Sequence, residues 1–262
     1  MSNRTNTAVS HALDAHRAIT AELHQRLQEL PPSPFDWNSF DPAAALRAHD
    51  GSIDPRLVTL SRILCTAPAR SEELRVLWDE CVVTAAFAQD VAPHLGADPR
   101  SSAMAGLLHR LGDILTIRAI AEIEHASRVK LDSASKAALC VEHGGDVLDR
   151  VVRAWGVPAR AAATAAEWRR LREFPGAAAD AATVYLARLF ALELIAPQFC
   201  APGIVEHAME EMGVAPEKLA AVRSNPYFQG LLFPGINANS QGLRPTKENA
   251  ALRRRSCSEE SL

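Results

Sequence analysis

The sequence predicts an all-α fold. Hydrophobic residues make up 48% of the 262 residues, which is enough to bury a large core. Alanine, the strongest helix former, is abundant, and apolar residues recur every three to four positions along most of the chain. Strand-like alternation of apolar and polar residues is hard to find. These observations together favour helices throughout.

The first thirty residues predict an amphipathic helix that ends at Pro31-Pro32, because a second proline does not allow a helix to continue. Its apolar stripe consists of Val9, Leu13, Leu23, Leu27 and Leu30. This stripe could form the seam of a homodimer. However, His16 and Thr20 interrupt it, so packing onto its own domain is the favoured interpretation.

Residues 31–41 read as a turn-rich connector, and its aromatic residues Phe35, Trp37 and Phe40 are expected to anchor it on the surface of the core. Aspartate followed by proline is typical of a helix start, because the carboxylate accepts free backbone N–H groups. The sequence has three such pairs, at Asp41-Pro42, Asp54-Pro55 and Asp98-Pro99.

The helix predicted to open at Ser71 runs to about Leu95, and a central helix follows from Pro99. Gly112 lies inside this central helix, where glycine costs roughly 1 kcal/mol relative to alanine. That cost indicates either close approach of another helix or a break between two helices. Asp132 or Ser133 caps the next helix, in which Gly144-Gly145 marks a kink or a start.

Further helices are predicted over 159–171, from Pro175 to Pro197, over 203–212 and over 216–224. Residues 231–262 are polar and lack periodicity, so they predict a flexible, disordered tail. The predicted organisation is an N-terminal helix and connector (1–50), a helical domain (51–230) and the tail (231–262).

Composition excludes several classes of protein. The net charge of -3 and the pI of about 6.3 argue against nucleic acid or an anionic membrane as the partner. The five cysteines have no C-x-x-C spacing, and no apolar run is long enough to span a bilayer. A cytoplasmic location and buried reduced thiols are therefore expected.

Three stretches of the chain resemble the HDOD family, the HD-related output domain of bacterial signalling proteins. Ala105 to Leu115 resembles its "aGLLHDIG" segment, His143 to Pro158 resembles "HaevGa-LL--W-LP", and Met212 to Val222 resembles "lGLsPEeLaei". Leu77-Trp78 and the residues after it resemble the preceding "LW-HS--vA" helix. The resemblance covers roughly residues 70 to 224 and implies an HD-like helical domain.

The resemblance also implies where a metal site would lie. In catalytic HD phosphohydrolases, one or two metal ions are held by an upstream His, an adjacent His-Asp pair and later ligands. The corresponding positions here are degenerate: Glu80 stands for the upstream His, and Arg110 replaces the Asp that follows His109. The later His falls on His143 or Gly144, and a trailing His pair falls on Trp168 and Arg169.

A cation beside the metal would repel it, so the favoured interpretation has no metal, no cofactor and no catalytic residue. His109 is then a hydrogen-bonded core residue, and Arg110 pairs with an acid such as Glu80 or Asp79. A residual metal site formed by Glu80, His109, Asp113 and His143 is the alternative.

The resulting hypothesis is a non-enzymatic regulatory module that contacts a signalling protein partner, with the first helix and the connector as candidate surfaces. A divergent metal-dependent phosphohydrolase of nucleotides or cyclic dinucleotides is the alternative. A third interpretation is a nucleotide sensor that binds through Arg110, Arg118 or Arg169-Arg170.

Overall fold

The computed structural model describes residues 19–46, 54–67, 70–168 and 179–225, and these ranges contain helices and no strand. The predicted all-α class is therefore confirmed. In chain order the helices are α1 (19–26), α2 (Pro42–Leu46), α3 (Pro55–Cys65), α4 (Ser71–Val91), α5 (Pro99–Leu108), α6 (Leu111–Ser127), α7 (Ser133–Ala154), α8 (Ala159–Glu167), α9 (Ala179–Ile195), α10 (Ile204–Glu211) and α11 (Pro216–Arg223).

Capping aspartates begin several of these helices where the sequence predicts them. Asp54 Oδ1 accepts a hydrogen bond from the Arg56 N–H at 2.7 Å, and Asp98 Oδ2 accepts one from Ser101 at 2.8 Å. Asp132, not Ser133, caps α7. A cap of this kind contributes about 1 kcal/mol to stability, so these aspartates fix where the helices start.

Helix α4 lies at the centre of the fold. It packs against α5 and α9 and also contacts α2, α3, α6 and α11. Every residue from Trp78 to Ala88 is buried, so this stretch has no solvent-facing side. Polar side chains on it, such as that of Glu80, are therefore forced to find partners inside the protein.

The central helix predicted from Pro99 is divided in two, as one of the two alternatives for Gly112 anticipates, since a turn at His109-Arg110 separates α5 from α6. Gly112 lies just after this turn, where α6 crosses α7. A β-carbon on Gly112 would lie 1.9 Å from the carbonyl oxygen of Gly144. Gly112 is thus explained by close helix approach. Gly144-Gly145 does not mark a helix start, because both residues lie inside α7.

The aromatic side chains of the connector anchor it to the core, as the sequence predicts, while most of its other residues are exposed. Trp37 and Phe40 are both 0% exposed. The indole of Trp37 stacks on that of Trp155, with ring centres 5.8 Å apart, and Trp155 Nε1 donates to the Pro31 carbonyl at 2.8 Å. Burial of these large rings makes the connector part of the domain's packing.

Helix α1 packs onto its own domain, as predicted, since Ile19, Leu23 and Leu27 are buried in the same core cluster. On the described part of α1 and of the connector, Ile19, Leu23, Leu27, Trp37 and Phe40 are therefore covered by the domain itself. The predictions for residues 1–18, for the tail 231–262 and for Cys257 lie outside the described residues.

The cysteines that the structure describes are free thiols, two of them well buried. Burial raises the pKa of the Cys65 thiol to about 11 and that of Cys81 well above its usual range. Such thiols are unreactive at neutral pH. None of the described helices combines the length and the apolar character needed to cross a membrane.

Candidate functional site

The degenerate HD positions meet where α4, the α5–α6 turn and α9 come together. Five side chains form what we call the buried ionic cluster: Glu80 on α4, His109 and Arg110 in the turn, Asp113 on α6 and Arg188 on α9. The sequence identifies the first four of these residues. The structure adds Arg188.

Arg188 is the partner of Glu80. Its Nε donates to Glu80 Oε1 at 2.8 Å, and its side chain is only 2% exposed. Burial by itself would raise the pKa of the Glu80 carboxyl, but the charges of Arg188 and then Arg110 outweigh it and hold that pKa well below its usual range. Glu80 is therefore ionised and neutralised within the protein.

Arg110 makes its close ion pair with Asp113, whose Oδ2 lies 3.0 Å from the Arg110 Nε. The partner expected from sequence was Glu80 or Asp79. Burial would lower the pKa of Arg110, yet Asp113 and Glu80 together raise it. The guanidinium thus remains charged. The spacing of three residues across the first turn of α6 brings these two side chains to the same face.

His109 is a hydrogen-bonded core residue, as the favoured interpretation predicts. It is 1% exposed, and its Nδ1 lies 2.6 Å from the Gly106 carbonyl oxygen. Because a carbonyl only accepts, Nδ1 carries the proton. Burial lowers the pKa of the imidazole against the raising influence of Glu80, so the ring is neutral at pH 7.

The second nitrogen of His109 makes no hydrogen bond within the part of the chain that is described. Its Nε2 lies 3.8 Å from Glu80 Oε1, which is too long for a hydrogen bond. The lone pair on this nitrogen therefore faces a carboxylate that Arg188 already holds.

Trp168 closes the cluster from the end of α8. Its Nε1 donates to the His109 carbonyl at 3.3 Å, and its ring meets the imidazole edge-on with centres 5.1 Å apart. The Arg188 guanidinium lies over the same indole at 5.1 Å. An indole thus stands where the resemblance places the first of two trailing histidines. Arg169 lies outside the described residues.

His143 is not part of this cluster. The residue of α7 that faces it is Gly144, since a β-carbon there would lie 2.5 Å from Asp113 Oδ1. His143 instead contacts His24 of α1, with ring centres 4.6 Å apart. Of the two positions considered for the later histidine, Gly144 is therefore the one that reaches the site, and it supplies no ligand.

These residues do not fit a divalent metal ion. A metal of the HD type needs anionic carboxylates and neutral imidazoles around it. Here each of the two carboxylates already faces a guanidinium, and the cluster's two negative charges balance its two positive ones. Adding a dication would introduce uncompensated positive charge into a buried site.

Sequence reasoning missed Arg188, although a signal for it was present. Helix α9 is apolar along most of its length, and Arg188 falls among Leu186, Ala187, Leu189 and Phe190. A charged residue on a helix that is buried on all sides must have a buried partner of opposite charge. The identity of that partner, more than a hundred residues upstream, depends on the fold.

Comparison with known proteins gives one family and one structure. Residues 57–169 match the HDOD domain family. No curated protein matches the chain. Among solved structures, the "Putative phosphohydrolase" of Shewanella amazonensis SB2B is similar, with 16% identity and a TM-score of 0.49 over 86% of this chain and 84% of that one. Similarity at this level does not extend to the roles of residues.

Proposed function

We propose that this chain, which carries an HDOD domain at residues 57–169, is a non-catalytic regulatory module that acts by binding a protein partner in bacterial signalling. The observation that carries the proposal is the pairing of Glu80 with Arg188 inside the core. A guanidinium fixed on the carboxylate at this position takes the place of a catalytic metal's charge.

The energetics of the buried ionic cluster support this proposal. A metal could reach Glu80 only if Arg188 left it, and breaking a buried ion pair costs roughly 3–5 kcal/mol. Arg110 would in addition remain beside the ion and repel it. The Glu80–Arg188 pair also joins α4 to α9, so the cluster has a structural use that needs no metal.

A nucleotide-sensing role receives less support from the arginines named for it. Arg118 donates to the Ile63 carbonyl and to Glu122 Oε1, so its guanidinium joins α6 to α3. Arg110 is engaged by Asp113. Arg169 and Arg170 lie outside the described residues. Arg110 and Arg118 are thus engaged in contacts within the protein.

The test is a complementation experiment in the native host that distinguishes a non-catalytic regulatory module from a phosphohydrolase. His109→Gln keeps a hydrogen-bonding side chain but loses the imidazole that a phosphohydrolase would need. We expect this variant, expressed in a host that lacks the gene, to restore the signalling phenotype as fully as wild type does.

The parallel assay incubates the purified chain with manganese or iron(II) and a panel of nucleotides and cyclic dinucleotides. We expect no hydrolysis. Metal-dependent hydrolysis that His109→Gln abolishes, together with loss of complementation by a variant whose thermal unfolding matches wild type, would establish the phosphohydrolase instead.

A further inference from the structure

A surface cavity of about 450 Å³ lies between α9, α10 and α11. The apolar side chains that line it are those of Phe190, Met209, Pro216, Leu219 and Ala220. All of them lie beyond residue 169, where the match to the HDOD family ends. The proposed regulatory function uses none of these side chains.

The size and the walls of this cavity suit an apolar occupant. Phe190, Met209 and Leu219 form its base and are almost fully buried, whereas Pro216 and Ala220 are exposed, so the cavity opens along α11. An apolar cavity of about 150 Å³ holds one benzene ring. This one therefore has room for two or three aromatic or leucine side chains.

Arg223 fixes the shape of the cavity by holding α11 against its neighbours. Its Nε donates to Glu193 Oε2 of α9 at 2.9 Å, and its Nη1 donates to Glu206 Oε1 of α10 at 2.6 Å. The walls are thus in place before anything binds. A preformed site spares a ligand the cost of ordering it.

The chain itself supplies an apolar segment directly after α11. Following Asn225, the sequence over residues 226–233 reads Pro-Tyr-Phe-Gln-Gly-Leu-Leu-Phe. Five of the seven residues from Tyr227 to Phe233 are aromatic or leucine, and none is charged. This segment differs in composition from the polar residues that follow it, and its side chains match the walls of the cavity.

The segment begins beside the cavity and is long enough to fill it. Ser224, the residue after α11, itself lines the cavity. Eight residues span at most roughly 26–29 Å, whereas the eight residues of α11 make a helix about 12 Å long. A tether this short gives an effective concentration on the order of millimolar, which favours the segment over a separate protein.

We propose that the cavity binds the chain's own segment from Tyr227 to Phe233, with the aromatic and leucine side chains packed against α10 and α11. A protein that uses this surface must then displace the segment first. The proposal does not depend on the regulatory function.

Photo-cross-linking of the tag-free full chain tests the contact directly. The benzophenone of Phe228→p-benzoylphenylalanine should cross-link within one chain to residues that line the cavity, above all to Met209, because the excited ketone reacts readily beside a thioether. The same probe in place of Leu252, further along the chain, is the matched control and should give no cross-link to the cavity.

The pattern of cross-links decides between occupants. Cross-links between two chains would assign the cavity to a second copy of the protein. Cross-links to the cavity that are no more frequent from residue 228 than from residue 252 would leave it to another protein. Either result would overturn the proposal.

Hydrogen exchange read by mass spectrometry gives a second test without the probe. Amides of residues 227–233 should exchange more slowly than those of residues 243–252 in wild type. Ala220→Glu places a carboxylate on the cavity wall and should speed exchange of the segment about tenfold or more. Ala221→Glu makes the same change at an exposed position of α11 outside the cavity and should leave the exchange unchanged. Equal exchange in the two variants would contradict docking.

Discussion

One residue, Arg188, determines the electrostatic environment of the degenerate HD positions. Its guanidinium neutralises Glu80 at 2.8 Å and lies over the indole of Trp168. Without it, an ionised carboxylate would lie unpaired on the fully buried stretch of α4. The chemistry of the site is thus set by a side chain that the family motifs do not include.

Removing that guanidinium tests its role in stability. Arg188→Met keeps the length of the side chain but leaves Glu80 buried without its partner, which should cost about 3–5 kcal/mol of unfolding free energy. Arg26→Met removes two partly exposed ion pairs, with Glu22 and with Glu122, and should cost at most about 2 kcal/mol. Denaturant unfolding measures both.

The double variant Glu80→Gln/Arg188→Met gives the control for this prediction. Both charges are then absent, so most of the lost stability should return. A double variant no more stable than Arg188→Met alone would show that the loss came from packing against Trp168 and not from the ion pair.

Asp79 supplies the protein's clearest pH dependence. Its Oδ2 is buried without a hydrogen-bond partner in the described structure, and burial raises the pKa of the carboxyl from 3.8 to about 7, partly opposed by Arg75. Between these two values the folded state binds more protons than the unfolded state. Stability due to this group therefore falls as pH rises through that window.

Asp79→Asn should remove this dependence. At about 1.4 kcal/mol per pKa unit, the variant should gain up to roughly 4 kcal/mol over wild type at pH 8, and much less at pH 4. Denaturant unfolding at the two pH values measures the difference in stability between Asp79→Asn and wild type. Curves that stay parallel across the range would contradict the raised pKa.

At the scale of elements, the crossing of α6 and α7 depends on paired glycines. Gly112 lets the Gly144 carbonyl approach, and Gly144 makes room for Asp113. The sequence indicated a special role for Gly112 from the cost of glycine in a helix. It could not distinguish a break from a close approach, because that depends on which helix lies opposite.

Two alanine variants separate these roles. Gly112→Ala would place a β-carbon 1.9 Å from a backbone oxygen, so the helices must move apart and the protein should lose at least about 1–3 kcal/mol of stability. Gly145→Ala meets no atom within 4 Å and should gain about 0.5–1 kcal/mol. An equal loss of stability in Gly112→Ala and Gly145→Ala would contradict the close approach of α7 at Gly112.

Element boundaries followed from the sequence wherever a capping residue marked them. Aspartate–proline pairs located the starts of α2, α3 and α5. The sequence raised a break near Gly112 as one of two alternatives but did not place it at His109-Arg110, because neither of these residues is typical of a turn. Local contacts of His109 with Gly106 and of Arg110 with Asp113 accompany this turn, and the Trp168 indole adds a tertiary contact by donating to the His109 carbonyl.

For the whole molecule, the main revision concerns its surface. The sequence suggested the first helix and the aromatic connector as candidate partner surfaces, because they carry apolar positions that could be exposed. The rings of Trp37 and Phe40 are fully buried, and Trp37 stacks on Trp155 of the family-like segment. The sequence pattern of the connector does not reveal that Trp155, far along the chain, lies where the Trp37 ring can stack on it.

The central claim is that guanidinium charge replaces metal in the buried ionic cluster. Its most direct test is the manganese and iron content of the tag-free chain, purified after growth with both metals and measured by plasma mass spectrometry beside His109→Gln. The account predicts substoichiometric manganese and iron, equal in the two proteins. One or two such ions per wild-type chain, lost in His109→Gln, would contradict it.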